Sequence, residues 1–324
     1  MKKLVTVQIV FILMIVLIPF LLSKSCHTTS EDKVYVDVKI KVWAHEAQKV
    51  VEMDLEDYLL GVVAAEMPAA FEQEALNAQA VAARTYAVAR LKGLYVAKDG
   101  YHPDTPICTD PSHCQGYKTK EQMSEVWGKF STSRYWKKIQ SSVEETIGQV
   151  ITYKEEITNP VYHSNAGGIT ESASDVWGTP VPYLVSVMSK GDSISPVWDQ
   201  KVTFTPGEIR QKITSNSGYS DFNLSDRMEG EIETIEHTSG GGVKSIRLGN
   251  KIFEGTELRR LLGLKSTKFE ISIDKKGIIH FRTKGSGHGV GMSQWGANYL
   301  ALNGGTYIEI LEHYYNGIIV KSYR

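Results

Sequence analysis

The chain is short of cysteine and carries almost no net charge. Three cysteines among 324 residues cannot staple a domain of this size, which excludes a disulfide-built scaffold. Lys and Arg total 36 against 37 Asp and Glu, a formal net charge of −1. That balance excludes a globally basic nucleic-acid binder, so no nucleic acid is expected as a partner. It also supplies no field to draw the protein onto an anionic surface, and any membrane contact must come from a particular segment. Proline is scarce, at 10, and the 28 glycines cluster rather than recur with a period, which excludes collagen-like repeats. No Gly-x-Ser-x-Gly or His-Glu-x-x-His stands in the chain, which argues against common acyl-transfer and zinc-protease chemistry.

What is there is an ordinary globular composition, 42% hydrophobic and 23% charged, behind an unusual start. Met1-Lys2-Lys3 precedes Leu4–Leu22, an uncharged run interrupted only by Thr6 and Gln8. About 20 apolar residues cross a bilayer as a helix, and lysines ahead of the run place the N-terminus in the cytoplasm. A cleaved signal peptide is the alternative, but the run is long for one and no small-x-small cleavage site follows. A retained single-pass anchor is expected, with the C-terminal domain extracytoplasmic.

The rest reads as α+β. Val34–Val42 alternates as a half-buried strand, and Val50–Met53 makes a second. Asp54 offers an N-cap, with Asp57 as a capping-box-like partner. Leu55, Leu59, Val62, Val63 and Glu66 then follow at helical spacing until Pro68. A longer, alanine-rich helix runs from about Glu72 to Lys98, and another from Glu121 to Thr146. Strands are expected at Val150–Tyr153, Val161–His163 and Tyr183–Val187. From Gly191 to Phe281 short strands alternate with turns and two helices, and helices return at Ser293–Leu302 and Thr306–Tyr315. The spacing predicts an anchor and linker over 1–33, a main lobe of mixed helices and strands over 34–190 with 282–324, and a smaller inserted α+β subdomain over 191–281.

Three groups of residues carry chemistry. Glu66 shares the apolar stripe of its helix, and Ala64, Ala65, Met67 and Pro68 bring no charge. Burial there would raise its pKa toward the range a general acid needs; the alternative is a buried carboxylate held by Arg84 or Arg90. His102, Cys108, His113 and Cys114 make a tetrahedral sulfur–nitrogen set, with Pro103, Pro106 and Pro111 stiffening the loop. Four protein ligands would make such a metal structural, while a Cys108–Cys114 disulfide stays open as the alternative. The glycine-rich segments Tyr162–Glu171 and Gly285–Gln294 lack the dinucleotide pattern. Their backbones suit close approach to a ligand, so Tyr162, Ser164, His288 and Gln294 are expected to line a polysaccharide groove, with Trp177, Trp198 and Trp295 as platforms. His288 as a packing residue is the alternative.

Several motifs run in order along the chain: Val63-Ala64-Ala65-Glu66-Met67-Pro68, then Ala78-Gln79-Ala80-Val81-Ala82-Ala83-Arg84-Thr85-Tyr86, the His/Cys loop, Asn165-Ala166-Gly167-Gly168, and Gly287-His288-Gly289-Val290-Gly291-Met292-Ser293-Gln294-Trp295-Gly296-Ala297. Together they resemble the stage II sporulation protein D family, membrane-anchored peptidoglycan lytic transglycosylases of spore-forming bacteria. The resemblance implies that Glu66 is the catalytic acid and that Arg84 matches an arginine important for activity. It also implies that His102, Cys108, His113 and Cys114 hold a structural zinc rather than a disulfide. The implied substrate is glycan strands of the cell wall, cut during engulfment after removal of stem peptides by a partner amidase, stage II sporulation protein P. The family also includes relatives that stimulate cell-wall amidases, so a non-catalytic, glycan-binding amidase activator is the second reading. A zinc hydrolase is a distant third, because four ligands leave the metal no open position.

Overall fold

The computed structural model describes residues 38–95, 100–102 and 105–323. The expected membrane segment lies outside the described residues, and no described helix is long and apolar enough to cross a membrane. The fold is mixed α+β, with helices around several small sheets.

Strands β1 (Lys39–Ala44) and β2 (Lys49–Asp54) form an antiparallel hairpin. It leads directly into helix α1 (Leu55–Glu66). Asp54 takes the N-cap position with extended backbone, but its side chain makes no cap bond. Its carboxylate instead accepts from Lys39 Nζ at 2.6 Å, so the capping box expected with Asp57 does not form. α1 stops at Glu66 because residue 68 is proline, which disfavours helical backbone in the residue before it. Met67 is accordingly extended, at φ −123°, ψ 137°.

Helix α2 (Gln73–Leu91) is shorter than expected and is buried on every side from Ala75 to Arg90. Its alanines explain why: small side chains let α1 and later elements approach from all directions. After the two-residue strand β3 (Ile107–Cys108), which pairs in parallel with β1, the single helix expected over 121–146 is two. α3 (Lys120–Trp127) and α4 (Lys129–Glu145) meet at Gly128. Its φ of 75° and ψ of 148° are open to glycine and strained for other residues.

Strands β4 (Gln149–Tyr153), β5 (Glu156–Ile157) and β6 (Tyr162–His163) follow, then the short helix α5 (Ala173–Trp177). Tyr183–Val187, expected as a strand, forms no ladder; only Met188 bridges Ile169. A second hydrophobic cluster, separate from the one around α2, spans Phe204 to Phe281. It draws on β7 (Asp199–Phe204), α6 (Pro206–Thr214), β8 (Ile232–His237), β9 (Val243–Leu248), β10 (Lys251–Glu254), α7 (Gly255–Leu262), β11 (Phe269–Ile273) and β12 (Ile279–Lys284). The chain returns to the first cluster through β13 (Met292–Ser293), which pairs in parallel with β6. Helices α8 (Gln294–Leu302) and α9 (Tyr307–Tyr314) pack on α2, and β14 (Ile319–Ser322) closes on β4.

Candidate functional site

Glu66 is the last residue of α1, half-buried. Its Oε1 accepts the Gly116 N–H at 2.6 Å. Burial pushes its carboxyl above the usual range, and the Gly116 bond opposes that only in part. The carbonyl end of a helix also disfavours a negative charge there. Among the described residues no cation pairs with Glu66. Arg84 and Arg90, the two candidates for holding it, are engaged elsewhere. Arg90 lies over the Tyr86 ring, 3.1 Å from its centroid, and donates to Asn159.

A groove of about 540 Å³ opens beside Glu66. One wall is the end of α1, Ala64 to Pro68. A second comes from α3, through Met123, Val126 and Trp127. The third comes from the β6 and β13 ends, through His163, Ser164, Gln294 and Trp295. Trp295 is propped edge-on against Phe71, with ring centroids 4.8 Å apart, and its backbone N–H donates to the Ser164 carbonyl at 3.1 Å. Glu66 is the one carboxylate among the described residues that line this groove.

The other acidic residues of neighbouring motifs serve elsewhere. Glu74 accepts the Tyr307 N–H at 2.6 Å. Asp175 accepts from the backbone and hydroxyl of Ser239. Glu171, 1% exposed, accepts the Gly242 N–H at 3.1 Å.

The sequence-predicted residues do not all converge. Ser164 and Gln294 line the groove. The Tyr162 ring points behind it, where its hydroxyl accepts from Gln115 Nε2 at 2.8 Å. His288 lies behind it as well. Its Nε2 meets the Tyr162 carbonyl at 3.0 Å and its Nδ1 accepts the Val290 N–H at 3.1 Å, so both ring nitrogens are spent on backbone. Burial lowers its pKa to about 4. Trp177 packs on that imidazole at a tilt of 46°, with centroids 5.5 Å apart.

Arg84, on α2, is fully buried and pairs at the far end of α1 from Glu66. Its guanidinium makes a two-pronged pair with Glu56, at 2.8 and 2.7 Å, and also donates to Thr146 and to the carbonyls of Val143 and Gln149. Glu56 and Glu66 are ten positions apart on one helix, or about 15 Å at 1.5 Å per residue.

The four expected metal ligands do come together. One donor atom from each of His102, Cys108, His113 and Cys114 lies within 4.8 Å of every other. Cys114 Sγ stands 3.3 Å from His113 Nδ1 and 3.8 Å from His102 Nε2, and Cys108 Sγ stands 3.5 Å from His113 Nδ1. Donors on a tetrahedron around one zinc, at bonds of about 2.0–2.3 Å, sit about 3.3–3.8 Å apart. The donor set therefore fits zinc, with these three separations in the tetrahedral range, and the two cysteines are not joined to each other. Cys114 is pulled down to about 5, first by the hydrogen bond from Cys108 and then by the two histidines.

Trp127, Met123, Gly116 and His163 were not singled out by sequence reasoning. Trp127 and Met123 read as ordinary stripe residues of a helix, and nothing local ties Gly116 to a carboxylate fifty positions earlier. His163 carried a weak signal, an imidazole inside a hydroxyl- and glycine-rich strand end. It is buried, and its Nδ1 meets the Val290 carbonyl at 3.1 Å.

The chain is similar to several known proteins. Residues 44–153 match the family described as Stage II sporulation protein (SpoIID). Stage II sporulation protein D of Bacillus amyloliquefaciens is 36% identical over 306 residues, covering 92% of this chain and 85% of that protein. Its counterpart from Bacillus subtilis (strain 168) is 36% identical over 285 residues, covering 88% and 79%. A Bacillus subtilis (strain 168) protein named Amidase enhancer is 30% identical over 313 residues, covering 82% of this chain and 40% of its own length. At 36% identity over most of both chains, the chain belongs to the stage II sporulation protein D family.

Proposed function

We propose that this sporulation-family protein is a lytic transglycosylase that cuts peptidoglycan glycan between N-acetylmuramic acid and N-acetylglucosamine. The observation that carries the reading is a groove with one carboxylate, half-buried and without an ionic partner. A glycoside hydrolase needs a second carboxylate as nucleophile or base. A transglycosylase does not, because the sugar supplies its own nucleophile. Glu66 enters protonated and gives its proton to the glycosidic oxygen as the C1–O bond breaks. As carboxylate it then takes the proton of the muramic 6-hydroxyl, whose oxygen closes on C1. The products are a free 4-hydroxyl and a 1,6-anhydromuramic end; no water is consumed and Glu66 returns protonated.

Ser164 and Gln294 supply hydrogen bonds to the sugar, and Trp127 and Trp295 supply flat apolar walls for the pyranose faces. His102, Cys108, His113 and Cys114 hold a structural zinc that crosslinks the loop carrying Gly116. The N-terminal apolar run anchors the chain in the cell membrane with this domain outside. A cell-wall amidase, stage II sporulation protein P, prepares peptide-free strands.

The test is mass spectrometry of glycan incubated with the soluble domain. Anhydro-sugar ends should form with the natural chain and disappear in Glu66→Gln. Equal yields from both would end the assignment. The relative named Amidase enhancer favours a second reading, in which the groove binds glycan and stimulates an amidase. That reading expects binding, no new chain ends, and no effect of Glu66→Gln.

A further inference from the structure

Gln115 lies between the four-donor loop and the acid. It follows Cys114 and precedes Gly116, and it is 1% exposed. Its amide spans two tyrosines from different elements. Nε2 donates to the Tyr162 hydroxyl on β6 at 2.8 Å, and Oε1 accepts from the Tyr58 hydroxyl on α1 at 3.3 Å. Tyr58 in turn stacks flat on Tyr117, the residue after Gly116, at 5.9 Å between centroids. The segment 114–117 is thus pinned on both sides of the one N–H that touches Glu66.

The space there is tight. A Cβ on Gly116 would stand 3.0 Å from Glu66 Oε1, and one on Gly61 would enter the Tyr117 ring. A segment so closely seated on a carboxylate sets the carboxylate's rotamer. Displacements of about 1 Å in a reacting group lower rates by about 100-fold.

We propose that Gln115 is the positioning residue for Glu66: by bridging the hydroxyls of Tyr58 and Tyr162 it holds the Gly116 N–H on the acid and so aims the carboxyl into the groove. Gln115 is neither part of the groove lining nor one of the four donors; it acts through Gly116. The same contact gives Tyr162 a role behind the groove wall, as the outer support of the Gln115 amide. The proposal rests on the reading of Glu66 as the acid, but its geometric half can be tested without turnover.

Two measurements separate the cases. The first is amide hydrogen exchange at Gly116, read by NMR in the zinc-loaded protein. Gln115→Leu keeps the volume and removes both bridges, and Tyr162→Phe removes one with little disturbance. Gly116 exchange should rise about 10-fold or more in either variant, with α2 amides and zinc content unchanged. Unchanged Gly116 protection in Tyr162→Phe overturns the proposal, whether or not the chain cuts glycan and whether or not Gln115→Leu folds. The second is steady-state kinetics on peptide-free glycan. Gln115→Leu should lower kcat about 10- to 100-fold with KM within about twofold. The double variant should be no worse than Gln115→Leu alone, as expected of residues in one chain of contacts. A loss that tracks zinc content or melting temperature would make Gln115 merely structural and overturn the proposal. Absence of anhydro products from the natural chain would strike the reading of Glu66, while the exchange result would stand.

Discussion

The acidity of Glu66 comes from where its helix ends. Pro68 stops α1 so that the last side chain turns into a groove with apolar walls, at the negative end of the helix dipole and with one N–H for company. The folded protein therefore favours the neutral carboxyl more than the unfolded chain does. The sign follows from linkage: a raised pKa adds stability fully below the unfolded value of about 4.3 and loses it as pH rises through the folded one. Glu66→Gln, which cannot ionise, should match the natural chain in urea unfolding at about pH 4. It should become the more stable of the two toward neutrality, by up to about 1 kcal/mol. A Gln variant less stable at pH 7 than at pH 4, relative to the natural chain, would mean the acid is held as carboxylate. At this scale the stripe Leu55, Leu59, Val62, Val63 made Glu66 legible. Its partner was not legible, because Gly116 is near only after folding.

Arg84 shows what elements demand. α2 is buried all round, so a guanidinium on it must find its acceptors inside, and it finds them on three other elements: Glu56 of α1, Val143 of α4 and Gln149 of β4. Its side chain is 1% exposed and that of Glu56 is 14%. Removing one partner of such a pair leaves the other charge stranded. Arg84→Ala should lose about 3–5 kcal/mol in denaturant unfolding. Arg84→Lys should recover only part of it, since an ammonium cannot reproduce the two-pronged contact. Activity per folded molecule then tells whether Arg84 reaches Glu66 by any route beyond stability. The loop from Tyr101 to Tyr117 makes the second demand. Its described residues have little regular structure, so a crosslink among His102, Cys108, His113 and Cys114 is what would order them. Chelation should release about one zinc per chain, lower the melting temperature by about 10 °C, and expose two thiols to labelling. Thiols that label only after reduction would indicate a disulfide instead.

Across the whole molecule the two hydrophobic clusters are joined by a buried carboxylate. Glu171 receives the Gly242 N–H from the turn between β8 and β9, and Lys268 Nζ lies 3.9 Å from it. A Cβ on Gly240 or Gly242 would strike its oxygens, which explains the glycines at those two positions of the turn. Asp175 takes Ser239 alongside. Glu171→Ala would leave Lys268 without its counter-charge and should cost about 3 kcal/mol. Hydrogen exchange should rise in β8 and β9 before it rises in α2. Equal exchange in both clusters would show that Glu171 does not join them.

Local periods and donor chemistry are written in the chain. Helical spacing placed Glu66 on a buried face, proline ended its helix, and two histidines and two cysteines in one loop met because little chain separates them. The short strands expected between Gly191 and Phe281 likewise form, Val243–Leu248 and Phe269–Ile273 among them. Which residues partner across long separations was settled by the packed fold. It gave Arg84 to Glu56 rather than Glu66, turned Tyr162 and His288 behind the groove, brought Trp127 into it, and set Gly116 on the acid. The reason is physical: periodicity records which face of an element is buried, but hydrogen-bond partners are chosen by packing between elements, and packing has no local signature in the chain.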